Sequence, residues 1–105
     1  MKKKDIDWQN LGFSYIQTDQ RYVSNFKDGA WDEGVLTSDA NVVINECAGV
    51  LQYCQACFEG LKAYTTEDGQ IVTFRPDLNP QRMVDSAARL VMPEFPVERF
   101  VDAVT

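Results

Sequence analysis

The sequence predicts an α+β fold, a largely antiparallel sheet with helices packed on one side. Three observations carry this prediction. Leu61 to Tyr64 and Ile71 to Phe74 are short runs rich in strand formers, separated by Thr65 to Gln70 with an Asp68-Gly69 turn inside, which is a strong hairpin signal. Val42-Val43-Ile44 is a compact apolar run between polar residues and fits a short buried strand. Downstream of Pro80 and again of Pro96, apolar side chains recur at helical spacing. The chain has 105 residues, 45% of them apolar and 11% aromatic, which suits one globular domain with an ordinary core. It shows no internal repeat, low-complexity tract or flexible linker.

In chain order, Ile6 to Leu11 is a short mixed opening segment carrying Trp8. Phe13 to Val23 partly alternates and reads as a strand, or as two short strands turning near Thr18-Asp19-Gln20. Phe26 to Gly34 is turn-rich and acidic, so a surface loop is expected there with Trp31 folded back. After the Val42–Ile44 strand, Asn45 is a candidate N-cap. Glu46 favours the positive helix start, and Cys47, Val50, Leu51 and Cys54 recur at helical spacing, which predicts a helix from Glu46 to about Cys57 that ends by Gly60. The hairpin follows. Arg75 cannot be α-helical because the Pro76 ring clashes with its backbone. Asn79-Pro80 then caps and opens a helix with Met83, Ala87, Leu90 and Val91 on one face. Pro93 stops it, and Pro96 opens a second helix with Phe100, Val101 and Val104 inward. That helix runs to Thr105 with neither cap nor terminator, so the sequence is expected to be part of something longer.

The net charge of −6 argues against a nucleic-acid or membrane-surface partner, either of which selects a basic face. The only basic run, Lys2-Lys3-Lys4, reads as a solvated start, and no apolar stretch follows that could be a signal peptide or a spanning helix. The expected location is cytoplasmic. Cys47, Cys54 and Cys57 are an odd count without secretory features, so a disulfide framework is not expected. Cys54 and Cys57 have C-x-x-C spacing, but a zinc site needs two more ligands and only Cys47 remains; the cysteines are read as small, mostly buried apolar residues. The absence of histidine removes imidazole ligands and Ser-His or Cys-His pairs.

The candidate chemistry lies at the start of the Pro80 helix. With Asn79 as cap, Arg82 falls in the first turn, where free N–H groups and the helix dipole favour an anion and a guanidinium adds two parallel hydrogen bonds to a phosphate. On physics alone a solvated surface arginine is the commoner reading, since no glycine-rich loop reinforces the cradle. Tyr53 and Phe58 at the end of the preceding helix read as core aromatics by spacing alone.

The segments LGFSYIQTDQRY, KDGAWDEG, LQYCQACFEGLKAY and FRPDLNPQRMVDSAARLVMP together resemble the N-terminal region of branched-chain amino-acid aminotransferases, the pyridoxal-phosphate enzymes of fold type IV. The resemblance covers nearly the whole chain, and FEGLKAY followed by FRP-x-x-N-x-x-RM is its most specific part. It implies that residues 1–105 are the N-terminal small domain of a two-domain, homodimeric enzyme that moves the amino group between leucine, isoleucine or valine and 2-oxoglutarate. It assigns Arg82 to the phosphate of pyridoxal 5'-phosphate and so reverses the physical prior on that residue. It assigns Phe13 and Phe58 to the pocket for the substrate's branched side chain, and Tyr53 to the pocket across the dimer interface. Apolar contact is how such a side chain is selected.

Cys54 and Pro80 depart from the family's usual small residue and its alanine or methionine. The larger departure is that the Schiff-base lysine, the acidic partner of the pyridine nitrogen and the rest of the phosphate site belong to a later domain without counterpart here. Lys62 lies in FEGLKAY and does not replace that lysine, so the chain alone is expected to be inactive. Two other readings stand beside this one. The chain is a truncated, non-catalytic interaction module that pairs with full-length subunits, or it is part of a fold type IV enzyme for D-amino acids or aminodeoxychorismate, against which FEGLKAY and the RM helix argue.

Overall fold

The computed structural model describes residues 5–105. The Lys2-Lys3-Lys4 run lies outside the described residues. The α+β class is as expected, with antiparallel pairing divided over three separate two-stranded ladders. The first joins β1 (Arg21–Val23) to β4 (Val35–Thr37), with Tyr22 opposite Leu36. Between them sits a tight hairpin, β2 (Phe26–Lys27) and β3 (Ala30–Trp31), where a surface loop was predicted. Its turn residues Asp28 and Gly29 have φ of 52° and 83°, the double left-handed conformation of a type I′ turn that Asp-Gly adopts readily. Trp31 does fold back. It packs edge-on against Phe26 and Phe95, ring centroids 5.2 and 5.0 Å away, and its Nε1 donates to the Glu94 carbonyl at 2.8 Å.

Of two further predicted strands, one is shortened and one is absent. Only the last three residues of Phe13–Val23 pair, because β4 offers three partners; upstream, only a one-turn 3₁₀ segment forms at Trp8–Asn10, capped by Asp7. Val42-Val43-Ile44 joins no ladder, and Val43 is 98% exposed. The helix expected over Glu46–Cys57 contracts to α1 (Gly49–Tyr53). The Asn45 carboxamide accepts from Cys47 N at 2.8 Å, which makes a local turn in place of a longer helix. At the other end Cys54 is left-handed, φ 53°. Cys47 and Cys54 are exposed and Cys57 is half-buried, so the cysteines do not form the apolar interior positions expected of them.

The last hairpin is where it was predicted: β5 (Ala63–Thr65) pairs with β6 (Ile71–Thr73) around Gly69, φ 84°. Helix α2 (Leu78–Arg89) starts two residues before Pro80, capped at Asp77 rather than Asn79, whose side chain is used elsewhere. Pro80 inside the first turn is tolerated because its missing N–H is one that the helix leaves unpaired there anyway, and the ring is fully buried. The helix closes in a Schellman arrangement: Met92 N donates to Ala87 O at 2.8 Å and Val91 N to Ala88 O at 3.2 Å. Helix α3 (Val97–Val104), capped at Pro96, packs Phe100 and Val101 inward, while Val104 stays 41% exposed.

Long-range polar bonds tie these pieces together. Gln55 Nε2 donates to the Leu90 carbonyl at 2.8 Å, and Arg99 Nη2 donates to Tyr22 Oη and to the Asp32 carbonyl at 2.8 and 2.6 Å. The apolar interior is thin. Phe26, Trp31, Met83, Met92, Phe95 and Phe100 help line an open cleft of about 740 Å³. The chain exposes 9263 Å², where a compact monomer of 11.9 kDa exposes about 5,900 Å². Its radius of gyration is 15.9 Å against about 13 Å for a compact domain of this length.

Candidate functional site

The segment after α1 is extended, and its residues alternate: Cys57, Glu59 and Leu61 turn inward while Ala56, Phe58 and Gly60 face out. This period of two delivers Glu59 beneath α2. Because that helix starts at Leu78, Arg82 stands in its second turn rather than its first, and Pro80 contributes no N–H to the helix start. The amide cradle expected at the N-terminus is therefore not what Arg82 works with. It works with Glu59: Arg82 Nε donates to Oε1 and Nη2 to Oε2, both at 2.7 Å, a side-on bidentate pair.

The two members differ sharply in setting. The Arg82 side chain is 70% exposed and that of Glu59 only 5%. Asn79 fixes the carboxylate from the other side, its Nδ2 donating to Glu59 Oε2 at 3.0 Å and to the Gly60 carbonyl at 2.8 Å. The bonds from Arg82, then Asn79, hold the Glu59 carboxyl below its ordinary value against the opposing effect of burial, and the same pairing raises Arg82. Glu59 and Asn79 were not singled out as site residues from the sequence. The signal available was a carboxylate inside a run of apolar and small residues, since acidic side chains are rarely buried without a partner.

Arg82 lines a shallow groove of about 490 Å³ with Phe58, Asp85, Ser86 and Arg89. The structure thus brings together two of the four predicted site residues, Arg82 and Phe58. Phe58, 91% exposed, and Tyr53, 87% exposed, face solvent, and Phe13 is fully exposed within an irregular segment. Neither Phe13 nor Tyr53 lines the groove. Lys62 lies apart, in a second surface cleft with Tyr64, Phe74 and Asn79. Among the described residues, no group of three metal-ligating side chains occurs, and no helix is long and apolar enough to cross a membrane.

The donor set at Arg82 fits a phosphate. Two of the guanidinium's five N–H groups lie on Glu59, Nη1 makes no hydrogen bond among the described residues, and the side chain is open to solvent.

No family model matches the sequence. Over nearly all of its length, however, the chain is similar to known aminotransferases. In particular, it is 56% identical over 100 residues to the branched-chain-amino-acid aminotransferase of Haemophilus influenzae, and 46% identical over 100 residues to that of Helicobacter pylori. A methionine aminotransferase of Arabidopsis thaliana is 44% identical over 104 residues. These matches cover 95 to 98% of this chain but only 29% of each relative, so the chain spans under a third of the length of the enzymes it resembles. The three helices and small antiparallel ladders suit a small α+β domain of such an enzyme.

Proposed function

We propose that these residues form the N-terminal small domain of a two-domain, cytoplasmic, homodimeric branched-chain aminotransferase, which exchanges the amino group of leucine, isoleucine or valine with 2-oxoglutarate. The observation that carries this reading is the 56% identity along 95% of the chain to an enzyme of that name. The small share of the relatives that is matched, the thin interior and the exposed apolar side chains support a chain that is completed by a further domain.

Arg82 is the residue that would hold the phosphate of pyridoxal 5'-phosphate, through the N–H groups that Glu59 leaves free. The chemistry which that cofactor supplies when bound is an electron sink for the bonds at the substrate's α-carbon. Phe58, beside Arg82 in the groove, offers apolar contact to an aliphatic substrate side chain. Phe13 and Tyr53 take the same role once a second domain and a second subunit cover them. Covering the groove also excludes water, which strengthens the ionic contacts at Arg82. Among the described residues no lysine lines the groove at Arg82, and residues 1–105 alone are expected not to transaminate. The similarity to a methionine aminotransferase leaves room for an unbranched substrate, and substrate profiling separates the two.

The test is a chain extended by the missing domain and assayed for amino transfer from leucine to 2-oxoglutarate. Activity in the extended protein and none in residues 1–105 supports the reading. A correctly folded extended protein without activity toward any branched-chain amino acid overturns it.

A further inference from the structure

We propose that Glu59, braced by Asn79, is a positioning residue that orients Arg82 for phosphate, an inference that rests on reading Arg82 as the phosphate anchor. An arginine 70% exposed on a helix surface samples many rotamers and loses that freedom when it binds an anion. The bidentate contact to Glu59, two bonds of 2.7 Å, fixes the guanidinium plane in advance and leaves Nη1 unbonded among the described residues. Glu59 is itself held in place: its side chain is 5% exposed, and the Asn79 amide bridges its Oε2 to the Gly60 carbonyl.

The charge balance argues the same way. A carboxylate beside the cation weakens long-range attraction for an anion, so a site built on charge alone is better without it. What Glu59 adds is direction. It also couples two parts of the site, because Phe58 precedes it in the extended segment and faces the groove that Arg82 lines.

The test uses the full-length protein that carries these residues and compares its dissociation constants for pyridoxal 5'-phosphate and for pyridoxal, which lacks the phosphate. Glu59→Gln turns an amide N–H₂ toward the donors of Arg82 or Asn79. It is expected to reduce the preference for the phosphorylated form about tenfold, with pyridoxal affinity unchanged. Asn79→Ala keeps the ion pair but removes its brace, and is expected to reduce the same preference about threefold; it serves as the readout if Glu59→Gln does not fold. Equal weakening of both ligands in these variants would show a merely structural ion pair and overturn the proposal. So would an unchanged preference while Arg82→Gln abolishes it, in which case Arg82 remains the anchor. If Arg82→Gln leaves the preference intact, the anchor reading itself fails and this proposal falls with it.

Discussion

Tyr22 fills the space beside Gly34 in which any other residue carries its Cβ: a Cβ there would lie 2.1 Å from Tyr22 Oη. That approach serves two bonds. Tyr22 Oη donates to the Glu33 carbonyl at 2.8 Å and accepts from Arg99 Nη2 at 2.8 Å, which joins the β1–β4 ladder to α3. Gly34 also has φ of 75°, so the position requires glycine on both steric and backbone grounds.

Gly34→Ala should therefore cost about 2–4 kcal/mol, combining a left-handed backbone penalty with displacement of the Tyr22 ring. Gly69 provides the control. Its φ is 84° but nothing lies within 4 Å of its Cβ position, so Gly69→Ala should cost only the backbone part, about 1–2 kcal/mol. Urea unfolding of the two variants in the full-length protein measures the difference. Equal losses would contradict the packing argument.

Val91 ends α2 in the left-handed region, φ 55°, at the C′ position where glycine is usual, and its side chain is 89% exposed. The β-branched side chain carries strain there without compensating burial. Val91→Gly is expected to raise stability by about 1 kcal/mol, read as a higher urea midpoint at unchanged slope. A lower midpoint would mean that Val91 packs against something beyond these residues.

Asp32 organises the turn after β3. Its carboxylate accepts from Asn25 N and Nδ2, from Ser24 Oγ and from Gly34 N at 2.9 to 3.0 Å, and these bonds, that from Asn25 N foremost, hold its pKa below the ordinary 3.8. The unfolded chain thus binds the proton more readily than the folded one. The resulting stabilisation is fully present above 3.8 and is lost as pH falls through the lower folded value. Stability measured between pH 5 and 2 should fall on acidification, and Asp32→Asn should flatten part of that slope. An identical slope in the variant would show that Asp32 is not among the groups responsible.

Elements marked by local chemistry were legible in the sequence. The Asp68-Gly69 turn specified β5 and β6, and prolines at 76, 80, 93 and 96 framed the two long helices to within a few residues. Where an element needs a distant partner, the pattern misled. Val42-Val43-Ile44 has the composition of a buried strand but joins none of the three ladders. The Asp28-Gly29 turn carried the same signal as Asp68-Gly69, yet its two-residue strands were hidden by the acidic composition around them.

The site divides in the same way. Arg82 stood out because its chemistry is local to one helix start, although that start lies two residues earlier than the Asn79-Pro80 pair indicates. Glu59 contacts it across 23 residues of sequence, and no spacing rule reports such a pair. The exposure of Phe13 and Tyr53 follows from apolar contacts that these residues do not make among themselves.

If, as proposed, these residues are the phosphate-and-pocket portion of a longer aminotransferase, the native protein is much larger than residues 1–105. The most direct measurement is the intact mass of the native protein, captured from its source with an antibody raised against this chain. The expected result is a species several times heavier than 11.9 kDa that transfers the amino group of leucine. A species of 11.9 kDa alone would contradict it and would favour a truncated module that acts through what it binds.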